Sequence, residues 1–227
     1  MAKSKIIKEL ANNQISMEVA LQRLIMIIAS DLGNEELLTW TETELQGYSP
    51  SDTLPEYRNI HSTYFVYSGI NGGFKVTNCP FTFTNILEEK LSDIYNVPIM
   101  DSFSSLQNFI DSPGKQSYRR DFSMLNGYVL QRTGIQCTSI YQTVPLNFLQ
   151  KIVSQIKTIL MKIFLKLDKE YGGLDDLDVD ATAKTPDEVD AINKVVNNYI
   201  FIDNSVNVGD RNKLKGSGIF GGGKDHG

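Results

Sequence analysis

The 227-residue sequence predicts an α+β fold: a mainly helical domain with an inserted β-hairpin, then a C-terminal capped helix and a β-type, glycine-rich tail. Three observations carry that expectation. Apolar residues recur at three- and four-residue steps over residues 16–32 and again over 146–171, the period of a helix with a buried stripe. Between these segments, residues 60–67 alternate with the two-residue rhythm of a strand and lead to Asn71-Gly72-Gly73, which suits a tight hairpin turn. After Gly172-Gly173 the local charge changes sign and the apolar content falls, which suggests a boundary.

Composition sets limits on these elements. With 41% hydrophobic residues, the chain can bury one domain of ordinary size plus an extension, which excludes collagen and full-length disorder. Twenty-two Lys and Arg against 27 Asp and Glu give a formal charge of -5, so coating a phosphate backbone is not the expected main role, although a local basic face stays open. The longest uninterrupted apolar run, residues 24–29, falls far short of the roughly 20 needed to span a bilayer. The start carries Lys3, Lys5 and Lys8 without a leader-like apolar run, so the chain is expected in the cytoplasm. Cys79 and Cys137 lack any metal-ligand or redox spacing and read as structural thiols.

A short helix is expected over residues 3–10. In the helix over 16–32, Ser16 is the N-cap, Val19, Ala20, Leu24, Ile27 and Ile28 form the stripe, and Gly33 is the left-handed stop. Asn34 caps the next helix, residues 35–46, whose first turn holds Glu35 and Glu36, where the helix dipole favours acids. Two prolines make residues 48–58 a loop. A strand over 60–67 and a return over 74–77 follow, with Asn78-Cys79-Pro80 as the expected end of that return. Helices are expected over 84–94 and 102–110, and Pro113-Gly114 marks a turn. In residues 118–141, Tyr128 and Leu130, then Ile135 and Cys137, suggest two strands joined near Gly134.

The longest helix is expected over 146–171, with Leu149, Val153, Ile156, Leu160, Ile163 and Leu167 inward. Five lysines against Asp168 and Glu170 leave it at +3. Residues 172–190 hold seven acids against Lys184, or -6. Thr185-Pro186-Asp187-Glu188 then has the makings of a capping box, starting a helix to about 197. The expected division is therefore a domain over 1–172, an acidic linker over 173–184, a short helix over 185–198 and a tail over 199–227. Ile200, Ile202, Val206 and Val208 alternate in strand fashion before a stretch with seven glycines in its last nineteen residues.

No catalytic motif stands out, and the chain is read as leaning away from an enzyme, with no cofactor and no metal. Asp175, Asp176, Asp178 and Asp180 lack the glycine and terminal glutamate of a calcium loop and read as a solvated linker. His61, expected in a strand, has no second ligand at metal spacing. No nucleophile elbow surrounds any serine. Neither Gly69-Ile-Asn-Gly72-Gly73 nor Gly216-Ser-Gly218 has the lysine and hydroxyl residue of a phosphate-binding loop. The lysines of 146–171 most simply keep the outer face of a core helix wet.

The most particular pattern is Trp40-Thr-Glu-Thr-Glu44-Leu45-Gln-Gly47-Tyr48, followed by Leu54-Pro55-Glu56-Tyr57-Arg58. Trp40 and Glu44 share a helix face at i, i+4, and Gly47 lets the chain turn away, so Arg58 is expected to return to Glu44 in a partly buried ion pair beside the indole. Two roles fit this arrangement: a clamp that defines the fold, which is preferred, or a groove for a ligand or partner.

These same residues carry a resemblance. Trp40, Glu44, Leu45, Gly47, Tyr48, Leu54, Pro55, Tyr57 and Arg58 resemble the N-terminal signature of the AbiTii domain family of bacterial abortive-infection proteins. The similarity continues more loosely through Tyr67-Ser68-Gly69, Val97-Pro98-Ile99 and Val144-Pro145-Leu146. It implies antiphage defence in which an infected cell is arrested or killed, and a domain placed ahead of variable material. It brings over no catalytic residues. The tail is similar to an N-x-G-D-x-N type of C-terminal segment in some bacterial defence proteins and in proteins associated with nucleoside triphosphatases. Val206, Val208, Asn212, Leu214 and Ile219 carry that likeness, with apolar spacing close to the rungs of a β-solenoid. One chain has too few rungs to bury a core, so a homo-oligomer built through the tail is expected, with a disordered glycine tail as the plainer reading. The expected function is a non-enzymatic sensor or assembly component of such a defence system, acting through oligomerisation and through contacts with a partner protein of that system. The rivals are a toxic effector, either nuclease or membrane-active, and a structural protein outside defence.

Overall fold

A computed structural model describes residues 3–61, 63–83, 94–114, 117–177 and 179–201, leaving aside the side chains of residues 30 and 31. Among these residues the chain forms seven α-helices and two small antiparallel sheets, an α+β fold dominated by helix.

The N-terminal helices follow from their caps and apolar faces. Helix α1, Lys5–Ala11, buries Ile6, Ile7 and Leu10. Helix α2, Met17–Ile27, begins where the Ser16 hydroxyl accepts from the Val19 N–H, and it continues as a wider π turn, Ile28–Leu32, up to Gly33 in the left-handed conformation. Helix α3, Glu35–Gln46, starts with the Asn34 side chain accepting from the Leu37 N–H. Its inner face presents Leu37, Trp40, Thr41 and Glu44 to the interior.

The strand expected over 60–67 proves to be two. Strand β1, Asn59–Ile60, enters a two-stranded ladder with β4, Val97–Pro98, whereas β2, Tyr64–Asn71, joins a separate four-stranded sheet. Burial does not alternate across the break: Ile60 is buried in the main core, whereas Phe65, Val66 and Tyr67 are three consecutive buried residues of β2. His61 therefore lies between strands. Its ring is exposed, with Nε2 3.0 Å from Glu56 Oε1.

The larger sheet has the order β3-β2-β6-β5, with β3 at Phe74–Phe81, β5 at Ser117–Asp121 and β6 at Gln136–Pro145. The hairpin turn forms at Gly72 and Gly73, both at positive φ, as the sequence expects. The return strand continues through Asn78-Cys79-Pro80 instead of ending there. As an edge strand, β3 tolerates Pro80, because its missing N–H is not needed on the open side. Positive φ at Asn78 accompanies a register shift between Tyr67 and Gly69.

Residues 126–133 correct a second expectation. Instead of a strand through Tyr128 and Leu130, they form helix α5, Asn126–Thr133, which stops at left-handed Gly134. Val129 is the buried residue of this helix, and it packs under the sheet with Phe65, Tyr67, Phe81, Phe83 and Ile140. Phe65 meets Phe83 and Phe122 edge to face at 4.7 and 5.2 Å. Cys79 and Cys137 are free thiols packed at the margin of this cluster.

The main core forms around α6, Leu146–Tyr171, whose bounds match the expectation. Its buried residues are Leu149, Ile152, Ile156, Ile159, Leu160, Ile163, Phe164 and Leu167. The buried face is broader than the single expected stripe, and Val153 lies only partly inside it. Full burial of each such side chain is worth about 1.5–3 kcal/mol, so this face is a principal source of stability. Helix α4, Phe103–Asp111, capped by Ser102, packs on α6 through Phe103 and Leu106.

Residues beyond Gly172-Gly173 join this same core. Leu174 and Val179 are buried in it, and Asp175 accepts from the Lys5 N–H at 2.6 Å, tying the acidic segment to α1. The expected capping box forms, with Glu188 accepting from the Thr185 N–H at 2.8 Å and from the Thr185 hydroxyl at 2.9 Å. Helix α7, Pro186–Phe201, runs beyond the expected end, so Ile200 is a buried helical residue instead of part of an alternating strand. Ile192, Val196 and Ile200 face the core. The helix expected over 84–94 lies, but for its last residue, outside the described residues, as do Asp178 and the tail positions Ile202, Val206, Val208, Asn212, Leu214 and Ile219.

Candidate functional site

Helix α3 places Trp40 and Glu44 one turn apart on its inner face, with Tyr48 one further turn-length along. Gly47 then leaves the helix with φ 96°, and a Cβ there would lie 3.0 Å from the Met100 carbonyl oxygen. This close approach lets the Tyr48 N–H donate to the Met100 carbonyl at 2.8 Å. The loop returns through buried Pro55 into a short turn, Glu56–Arg58, which delivers Tyr57 and Arg58 to α3.

Arg58 and Glu44 form the expected ion pair, and both side chains are fully buried, more deeply than the sequence suggested. Arg58 Nη2 donates to Glu44 Oε2 at 2.5 Å and Arg58 Nε donates to Oε1 at 3.1 Å, giving a two-point contact. The remaining donor group, Nη1, reaches the carbonyls of Ile99 at 2.9 Å and Asp101 at 2.7 Å. Glu44 Oε1 also accepts from the hydroxyls of Tyr48 at 2.8 Å and Tyr57 at 2.7 Å, while the Trp40 indole donates to Tyr57 at 2.8 Å. The Arg58 guanidinium lies over the Tyr48 ring, 4.7 Å from its centre.

These contacts account for the electrostatics. Burial, with the Glu44 charge adding to it, pushes the Tyr48 and Tyr57 hydroxyls well above their ordinary value, so both remain donors. The buried carboxylate is thus met by a guanidinium and two hydroxyls, and the guanidinium by a carboxylate and two carbonyls. Such saturation is the condition under which a buried charge pair is tolerated.

The clamp joins α3, the loop after it, the Glu56–Arg58 turn and residues 99–101. Of the residues singled out in the sequence, Trp40, Glu44, Tyr48, Tyr57 and Arg58 are brought together. Gly47 supplies the close approach and Pro55 the buried turn. Leu45 is packed on the main core and Leu54 is half-buried, neither being part of the hydrogen-bond network. The roles of Tyr48 and Tyr57 as joint donors were missed, although their spacing from Glu44 and Arg58 could have suggested them. The Ile99 and Asp101 carbonyls had no readable signal, because backbone acceptors carry no residue identity.

A cavity of about 590 Å3 opens beside the clamp. Trp40, Tyr48 and Phe201 supply rings to its lining, Glu36 and Asp52 supply carboxylates, and Thr39 and Thr43 are among its hydroxyl residues. The Ser49 N–H donates to Asp52 at 2.7 Å and holds that carboxyl below its ordinary range. Glu36 accepts from the Asn197 amide at 2.5 Å, linking the cavity wall to α7. A larger and more open groove, about 690 Å3, runs between the start of α2, α4 and α6, away from the clamp. Among the described residues, no group of three or more His, Cys, Asp or Glu side chains could hold a metal ion, and no helix is long and apolar enough to cross a membrane.

The sequence model of one protein family, described as AbiTii, matches residues 4–192. No curated protein and no solved structure matches the chain.

Proposed function

Because the chain belongs to the AbiTii family, we propose that it serves abortive-infection defence as a non-enzymatic sensor or assembly component. The family match over most of the chain is the observation that carries the defence role. Both oxygens of the clamp's carboxylate and every nitrogen of its guanidinium have protein partners, so these groups serve the interior of the fold and not a substrate. On this reading the residues from 1 to 172 form the defence domain, with the following acidic segment and α7 joined to it. Residues after α7, 202–227, including Val206, Val208, Asn212, Leu214 and Ile219, form the assembly segment.

Two experiments test this role. Induction of the full chain alone, without phage or neighbouring genes, is expected to leave growth unchanged. Arrest under those conditions would identify the chain as the toxic effector instead. Deletion of residues 204–227 is expected to lower the mass seen by light scattering, and an unchanged mass would remove the tail from assembly.

A further inference from the structure

We propose that the cavity between α3, the loop after it and the end of α7 is a binding site for an alkyl guanidinium or ammonium group. Its volume, about 590 Å3, lies in the range of pockets that take small ligands or a single protruding side chain. Rings from Trp40, Tyr48 and Phe201 line it together with the carboxylates of Glu36 and Asp52, and its described lining contains no Lys, Arg or His. Aromatic faces and carboxylates both attract cations, and a site that pairs them repels phosphate and other anions.

The parts are differently suited to this task. Arg58 already lies against the Tyr48 ring and Trp40 is almost wholly buried, which leaves half-buried Phe201 as the most open ring surface for a second cation. The Arg58 charge is itself compensated by Glu44 and does not oppose that cation. Trp40 is only 2% exposed and is fixed through its N–H to Tyr57, giving the site a rigid floor. Asp52 is exposed and ionised at neutral pH, its carboxyl being held low by the Ser49 N–H. Glu36 is oriented by Asn197, so a wall of the site is fixed by helix α7. The assignment goes beyond the defence role and stands on the cavity alone, so loss of one leaves the other intact.

Trp40 is the only tryptophan in the chain, so tryptophan fluorescence comes from a residue that lines this cavity. The full chain would be titrated with N-acetyl-arginine methylamide, with its neutral isostere N-acetyl-citrulline methylamide, and with spermidine. A saturable change in Trp40 emission is expected with the two cations and not with the citrulline probe. Glu36→Gln and Asp52→Asn, both at solvent-facing positions, should each weaken binding by up to about fivefold with an unchanged circular dichroism spectrum. Tighter binding of the arginine probe would point to a protein side chain as the natural occupant, and tighter binding of spermidine to a free polyamine. No saturable change with either cation would overturn the proposal, as would an equal response to citrulline or binding by both variants as tight as by the unaltered chain.

Discussion

Arg58 shows how one residue can hold four segments. Its guanidinium is fully buried, so its stability contribution depends on Glu44 remaining opposite it. Replacing it by methionine leaves the Glu44 carboxylate buried without its counter-charge, and Arg58→Met should lower the free energy of unfolding by about 3–5 kcal/mol in a denaturant titration. Adding Glu44→Gln should recover part of that loss, since a neutral amide oxygen still accepts from Tyr48 and Tyr57. Equal, additive losses would show that the two residues act independently. A second prediction concerns alkaline pH. Tyrosines of the unfolded chain lose their protons near pH 10, while folded Tyr48 and Tyr57 keep theirs. The unfolded state then binds fewer protons, so stability should fall as pH rises above about 10, by up to about 1.4 kcal/mol per pH unit for each tyrosine. A flat stability between pH 9.5 and 11.5 would contradict this. At this scale the sequence was readable where spacing alone determines contact, as for Trp40, Glu44 and Arg58. It was silent on Asp52 and Phe201, which meet at one cavity from positions about 150 residues apart.

Among the elements, long segments with one dominant period were legible. Residues 146–171 satisfy the helical period over seven turns, and Gly72-Gly73 provides the positive φ values of a hairpin. Short segments were not. Tyr128 and Leu130 alternate like a strand, yet eight residues can satisfy either period, and burial of Val129 beneath the sheet selects the helix. Residues 60–67 read as one strand yet divide between two sheets, a division determined by the distant partner Val97. The capping box of α7 was legible because its hydrogen bonds are local. Thr185→Ala should therefore cost about 1 kcal/mol, read as a lower denaturant midpoint. No change would mean that the packing of Ile192, Val196 and Ile200 alone sets the start of this helix.

For the molecule as a whole, charge was a poorer guide than packing. The shift from +3 to -6 at Gly172-Gly173 suggested a chain leaving its domain, but Leu174, Val179 and α7 return to the main core. The described acids of that segment are exposed while a few apolar residues anchor it, an arrangement in which net charge says little about attachment. The defence assignment rests on family membership, and the central claim is that this chain acts upon infection and not by itself. The most direct test is phage challenge of cells carrying the chain with its neighbouring genes, at low and high ratios of phage to cells. The account predicts normal growth without phage, survival of the culture at a low ratio and collapse at a high ratio. Growth arrest before any phage is added, or equal plaque numbers and culture survival with and without the gene, would contradict it.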